Sequence, residues 1–408
     1  MGRAEQLGFD PERLQRIDRF LQSRYIETGR IPGAHLQILR GGALAHETIL
    51  GLADIERARP LEGDALFRIY SMTKPLTSLA MMMLVEEGLV ALDDPVARYI
   101  PSWKDLGVFQ AGLPGSFLTR QPDRPMQVVD LLRHTSGLTY GFQNRTNVDA
   151  AYRRARIGDI FGAGSLEDMI EALGQIPLEF SPGEAWNYSV STDVVGYLVG
   201  KISGMGLDRF MEERIFRPLG MTDTGFSVRP GQAGRLAACY QAAPGGGMKL
   251  QDDPASSPFL AAPDLLSGGG GLISTMADYA RFARLLAGRG ALDGVRLIAP
   301  KTLDLMTSNH LPGGQDLTQT SRSMFSESTN AGIGFGLGFA TVFDAPRTLL
   351  PCSNGEFYWG GMASTAFWID PVEDVSVIFM TQLMPSSSYP IRRELRTLVY
   401  SSLVETYG

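Results

Sequence analysis

Ser71-Met72-Thr73-Lys74 sets a hydroxyl and an amine three residues apart, at the head of a run from Leu76 to Val85 that is apolar except for Thr77 and Ser78. In a helix, residues i and i+3 share a face and touch. Pro75 fits such a helix only in its first turn, where no amide hydrogen bond is lost. The helix N-terminus carries a partial positive charge, which favours an alkoxide on Ser71 and opposes protonation of Lys74. Burial acts on the lysine in the same direction. A neutral amine beside a serine hydroxyl is a workable general base for a covalent nucleophile. A serine and a lysine at this spacing also arise by chance, so the weight rests on position: a lysine on an otherwise apolar core helix is costly to bury unless it has a task.

Further candidates follow along the chain. Pro182 to Val190 (Pro-Gly-Glu-Ala-Trp-Asn-Tyr-Ser-Val) is a turn-rich loop ahead of a helical run at Asp193, and it offers the hydroxyl of Tyr188. His35, His46, His134 and His310 show no metal-ligand spacing, so neither a metal nor another cofactor is expected. His134 ends a helical run and reads as structural. No G-x-S-x-G nucleophile elbow is present. Gly332, Gly334, Gly336 and Gly338 alternate with apolar residues and predict one strand from Ile333 to Val342, its bare face against a helix. Gly268 to Gly271 lacks the G-K-[ST] of a phosphate loop and reads as a turn into a strand. Asp93-Asp94 before Pro95 reads as a cap rather than an acid/base pair.

These residues need a scaffold. Asp10-Pro11 opens an amphipathic helix with Leu14, Ile17, Leu21 and Tyr25 on one face. Runs at His35 to Arg40 and Leu44 to Leu50 join at Gly41-Gly42 as a hairpin. A core helix is expected from Ser71 to Glu87, stopped at Gly88. Helical runs then appear at Met126 to Arg133, Leu166 to Leu173, Asp193 to Ile202 and Met276 to Leu286. Strands return at Ala363 to Asp370 and Val375 to Thr381, before a closing helix from Ile391 to Glu405. The expected fold class is α/β of the α+β type: one antiparallel sheet built from both chain ends, with terminal helices against it and a mainly helical insertion. The boundaries predicted are 1–90 with 325–408 for the sheet domain and 91–324 for the insertion, with a cleft where they meet. Loops near Tyr140, Phe161 and Phe325 are expected to set its volume.

Of the 408 residues, 44% are hydrophobic and 20% charged, an ordinary balance for a globular chain. The net charge of −7 forms no block, which argues against nucleic acid or an anionic membrane as partner. The first residues carry no apolar signal core and no apolar run is long enough to span a bilayer, so a cytoplasmic protein is expected. Cys239 and Cys352 read as incidental thiols.

Taken together, the S-x-x-K at Ser71, the loop at Tyr188, Leu92-Asp93-Asp94-Pro95, Leu132 to Leu138 and Gly270 to Thr275 resemble the serine β-lactamase and penicillin-binding-protein superfamily, class C branch, in the family's order from roughly Ile31 to Gln382. The resemblance implies that fold, and it implies that Tyr188 shares protons with Lys74 at the nucleophile Ser71. Either can be the base in each half-reaction. Relatives that cleave β-lactams carry K-T-G on the cleft strand; the matching segment here is Trp359-Gly360-Gly361, and Val190 stands where class C enzymes have asparagine. Both departures remove polarity from the expected substrate-binding wall and suit a neutral ester better than an anionic lactam. The combination is similar to the family VIII carboxylesterases. It implies a small-molecule ester as partner, an oxyanion hole from the backbone N–H groups of Ser71 and Met362, and close backbone approach permitted by Gly360 and Gly361. The expected function is hydrolysis of small, short-chain acyl esters through a Ser71 acyl-enzyme, with weak β-lactam hydrolysis at most. The alternatives are a class C-like β-lactamase or D-amino-acid peptidase, and an acyltransferase to an alcohol.

Overall fold

A computed structural model of the chain describes residues 2–162, 164–323 and 331–408. Asp10 caps the first long helix, α1 (Pro11–Leu21), by accepting from the backbone of Glu12 at 2.9 Å and Arg13 at 3.2 Å, and the helix buries Leu14, Ile17 and Leu21. Strands β1 (Gly33–Arg40) and β2 (Ala43–Asp54) follow. The two glycines between them have φ of +57° and +71°, the conformation that a two-residue hairpin turn of matching twist demands. A short strand β3 (Arg59–Pro60) pairs with β2.

The core helix α2 (Thr73–Glu86) buries every residue from Thr73 to Leu84. Leu76, Leu79, Met81 and Met82 are fully buried, and each contributes about 1.5–3 kcal/mol by leaving water. Helices α3 (Ser191–Ser203) and α4 (Met276–Ala287) come from the long middle region. The chain then returns to the sheet as β4 (Ile333–Phe335), β5 (Ala340–Val342), β6 (Phe357–Gly360), β7 (Ala366–Asp370) and β8 (Val375–Met380), and closes with α5 (Ile391–Ser402). The order across the eight-stranded sheet is β4-β5-β6-β7-β8-β1-β2-β3, all neighbours antiparallel. The fold class is therefore the mixed helix and antiparallel-sheet type expected. The sequence boundary expected at 324/325, and Phe325 with it, lies outside the described residues.

Successive residues of a strand face opposite sides of the sheet, and β7 shows what each side meets. Trp368 and its cross-strand partner Tyr358 lie under the Arg396 guanidinium of α5, at 5.3 and 4.1 Å from the ring centres. Phe367 faces the other way, against Tyr279 of α4 at 5.3 Å. Trp359 pairs with Phe367 and so shares the side of α4, away from the terminal helices.

Two expectations are corrected. Residues 333–342 form a hairpin, not one strand: Ile333 pairs with Val342, Phe335 with Ala340, and Gly336 N–H donates to Phe339 O across the turn. The glycine alternation reflects crowding at that turn rather than one bare face. A Cβ on Gly336 would lie 2.1 Å from Met306 O, and one on Gly338 (φ +98°) would lie 2.3 Å from Ser78 Oγ on α2. Second, Trp359 does not precede a strand beginning at Ala363. It lies on its own strand, β6, and residues 361–365 form the turn into β7. The turn closes by Gly361 N–H to Thr365 O at 2.9 Å, with Ser364 in the left-handed region at φ +68°.

Candidate active site

Ser71 sits where the chain turns from the two-residue strand Phe67–Arg68 into α2. That strand pairs with Ile273–Ser274, which ties the serine to the glycine-rich segment 268–271. The residue before it, Tyr70, adopts φ +42°. For an aromatic residue this is a strained conformation, held only because the surroundings over-determine it. Ile69 N–H donates to Leu272 O, and Leu272 N–H donates to Thr73 Oγ1.

Lys74 and Tyr188 converge on the hydroxyl. Tyr188 OH donates to Ser71 Oγ at 2.7 Å, and Lys74 Nζ lies 3.3 Å from the same atom. Lys74 Nζ also donates to Gly269 O at 2.7 Å and contacts Tyr140 OH at 3.1 Å. Burial pushes the lysine down to about 7. A neutral amine has two N–H bonds and one lone pair. With the N–H bonds directed at Gly269 O and Tyr140, the lone pair is left for the Ser71 hydroxyl. Burial raises Tyr188 above its usual range, against the opposing pull of Ser71 and the Trp359 indole, so the phenol keeps its proton to donate. The arrangement can therefore take a proton from Ser71 through Lys74 and return one through Tyr188.

Tyr188 is held by its neighbours. The His134 ring packs against it at 5.0 Å, and His134 Nδ1 lies 3.1 Å from Ser189 Oγ. Burial and the nearby lysine keep this histidine far below its ordinary range, and it ends a short helix in the left-handed conformation, φ +57°. Trp359 packs on Tyr188 at 5.5 Å and edge-on to Phe335 at 5.3 Å.

The cleft over Ser71 has a volume of about 1200 Å³, and Tyr140, Phe142, Ile160, Phe161, Trp359 and Met362 contribute apolar surface to it. Tyr140 and Phe142 stack at 4.7 Å. Met362 stands at the wall with its side chain half exposed, and its backbone N–H donates to no described residue. Gly361 makes a tight approach: a Cβ there would lie 2.4 Å from Ile69 O. Gly360 backs the wall from the other face, where a Cβ would lie 2.6 Å from the Arg392 guanidinium carbon. Val190 is placed elsewhere. It is fully buried as the residue preceding α3, and it does not line the cleft. It backs Gly158, whose added Cβ would meet Val190 Cγ1 at 3.1 Å and Tyr140 Cδ1 at 3.2 Å.

Two polar residues at this site had no motif to reveal them. Tyr140, expected only to shape the pocket, touches the lysine directly. Arg392, at the start of α5, donates to Gly361 O at 2.6 Å and Thr365 O at 2.7 Å, clamping both ends of the turn that carries Met362. Burial lowers its guanidinium to about 9. Its only trace in sequence is the arginine pair at i and i+4, Arg392 and Arg396, which faces the sheet from an amphipathic helix.

Comparison with known proteins places the chain in a family. The family model described as Beta-lactamase matches residues 16–401. Esterase EstB of Burkholderia gladioli is 28% identical over 393 residues, covering 91% of each chain. Protein Rv1367c of Mycobacterium tuberculosis is 34% identical over 365 residues, covering 89% of this chain and 88% of that one. The solved structure of EstCE1, a hydrolase with promiscuous acyltransferase activity, matches with a TM-score of 0.80 at 26% identity, over 97% of this chain and 99% of that one.

Proposed function

The chain belongs to the Beta-lactamase family, and we propose from that premise that it is a carboxylesterase hydrolysing small neutral esters through an acyl-enzyme on Ser71. The observation that carries this reading is a serine held by Tyr188 at 2.7 Å and Lys74 at 3.3 Å in a cleft where the Trp359 indole occupies the place of the K-T-G lysine. Ser71 Oγ gives its proton to Lys74 and attacks the ester carbonyl. The negative charge that develops on the carbonyl oxygen is met by the backbone N–H groups of Ser71 and Met362. The alcohol leaves with a proton from the pair of side chains Lys74 and Tyr188. Water, deprotonated by Lys74, then attacks the acyl-enzyme, and the acid departs as the serine recovers its proton.

Trp359, Gly360 and Gly361 form or back the substrate wall in this proposal, and Val190 supports it from behind Gly158. Esterase EstB and EstCE1, by their names, fit an activity on esters. The partner is a small ester rather than nucleic acid, in keeping with the mild charge of −7. No helix among the described residues is long and apolar enough to cross a membrane. A cytoplasmic location and a sheet domain of 1–90 with 325–408 around an insertion of 91–324 belong to the same proposal.

The test is side-by-side steady-state kinetics on p-nitrophenyl butyrate and nitrocefin, for wild type and Ser71→Ala. The ester is expected to be the better substrate, and the substitution is expected to lower its kcat by at least about a thousandfold. Retained ester turnover in the variant overturns the mechanism; a higher kcat/KM on nitrocefin overturns the substrate class. A second reading, transfer of the acyl group to an alcohol, is favoured by the acyltransferase activity that EstCE1 carries in its title. It shares every step up to the acyl-enzyme, and product analysis with added alcohol separates the two.

A further inference from the structure

Asp193 lies in the first turn of α3, with only 3% of its surface exposed, and the mechanism above gives it no part. Its Oδ1 accepts from Ser267 Oγ at 2.5 Å and from Gly269 N–H at 3.0 Å. The carbonyl of the same glycine accepts from Lys74 Nζ at 2.7 Å. Gly269 is thus gripped from both ends, by a carboxylate at its N–H and by an amine at its C=O. The residue must be glycine for this to happen, because a Cβ there would lie 2.6 Å from Asp193 Oδ2. A buried carboxylate is costly unless donors and a cation offset it, and here the nearby cation is the lysine beside the nucleophile.

We propose that Asp193 is a positioning residue for Lys74: it anchors the Gly269 carbonyl that orients the amine toward Ser71, and its charge sets the pH at which that amine becomes a base. The proposal deepens the esterase reading and rests on Lys74 acting there as a proton carrier. Two opposing effects act on the lysine. Burial disfavours its charged form, and Asp193 is the group that opposes this. In return, Lys74, Ser267 and Gly269 favour the carboxylate against its own burial. The other groups facing Lys74 are Ser71 from its own helix, Tyr140 and Tyr188 from the loops on either side, and His134, which burial keeps neutral. None of these supplies a negative charge while the tyrosines stay protonated.

Removing the negative charge destabilises the ammonium, so Lys74 loses its proton at lower pH. In Asp193→Asn, whose amide oxygen can still accept from Ser267 and Gly269, the acid limb of kcat/KM for p-nitrophenyl butyrate is expected to move down by about one pH unit. A purely structural role for Asp193 would lower the plateau or the melting temperature without that movement. A limb that stays in place, or moves up, overturns the proposal. Should Asp193→Asn not fold, Gly269→Ala serves, because its methyl must push the carboxylate away. The same downward movement is expected there, and its absence overturns the proposal equally. The wild-type profile separates this from the parent reading: no acid limb between pH 5 and 9 removes Lys74 as the base, whereas a wild-type limb near 7 that Asp193→Asn leaves unmoved removes only Asp193.

Discussion

On one side of Ser71 stands a wall in which polar atoms meet at hydrogen-bond distance: Lys74 Nζ on Gly269 O and Tyr140 OH, Asp193 on Ser267 and Gly269, and Tyr188 on the serine itself. On the other side the end of β6 and the turn after it present Trp359 and two glycines, and Arg392, which also borders the cavity, donates to the Gly361 and Thr365 carbonyls. In the proposed mechanism the first wall moves protons, and its polar atoms are engaged with one another. The second carries the indole of Trp359, 4% exposed, where the sequence resemblance leads one to expect a lysine. The chemistry and the recognition of this fold therefore occupy separable surfaces, and the second can change while the first stays intact.

The sharpest way to break that division is where the recognition wall meets the backbone that carries Ser71. A Cβ on Gly361 would meet Ile69 O at 2.4 Å and Thr365 Oγ1 at 2.3 Å. Ile69 O is backbone two residues before the nucleophile and cannot swing aside. Gly361→Ala must therefore separate the turn holding Met362 from Ser71. The loss of one oxyanion donor predicts a fall in kcat on p-nitrophenyl butyrate of about a hundredfold, with KM little changed. A melting curve showing a fold that survives, combined with kcat within about threefold of wild type, would mean that Met362 N–H does not meet the oxyanion.

Trp359→Lys asks whether recognition alone can be reversed. The new side chain loses the packing of the indole on Tyr188 and Phe335, so ester turnover is expected to fall. It also returns a cation to the wall that faces an anionic substrate. The ratio of kcat/KM on nitrocefin to that on p-nitrophenyl butyrate is expected to rise by about tenfold, the worth of one partly exposed charge pair. An unchanged ratio would show that the missing cation is not what excludes lactams.

How much of this was legible beforehand depended on the distance over which each feature is built. Ser71 and Lys74 are three residues apart on one helix, so spacing, a first-turn proline and an apolar run suffice to place them. Tyr188 lies 117 residues from Ser71 and was reachable only through its loop motif. Asp193 and Gly269 meet across 76 residues, and Lys74 and Gly269 across 195, with no periodicity linking them. The alternating glycines of 332–338 mislead because a crowded hairpin turn and a strand with a bare face produce the same period of two. Strand β6 escaped notice because it is four residues long, ends in Gly360 and is followed by Gly361, and the low strand preference of glycine hides a segment stabilised by its neighbours on both sides.

Val190 gives the smallest effect and the finest test of where the recognition wall lies. In sequence it replaces a polar residue expected at the cleft, yet the fold turns it inward, behind Gly158 and Tyr140 and out of reach of the cavity. Val190→Asn introduces an amide of similar size into a fully buried position. Left without partners there, the amide is expected to cost about 1–3 kcal/mol, read as a lower unfolding midpoint in denaturant. Substrate preference should barely respond: the nitrocefin-to-ester ratio is expected to move by less than about threefold, because a side chain one layer back acts on substrate only by shifting Gly158. A tenfold rise in that ratio without loss of stability would mean that position 190 reaches substrate, and that the apolar wall begins on the α3 side of the cleft as well as at β6.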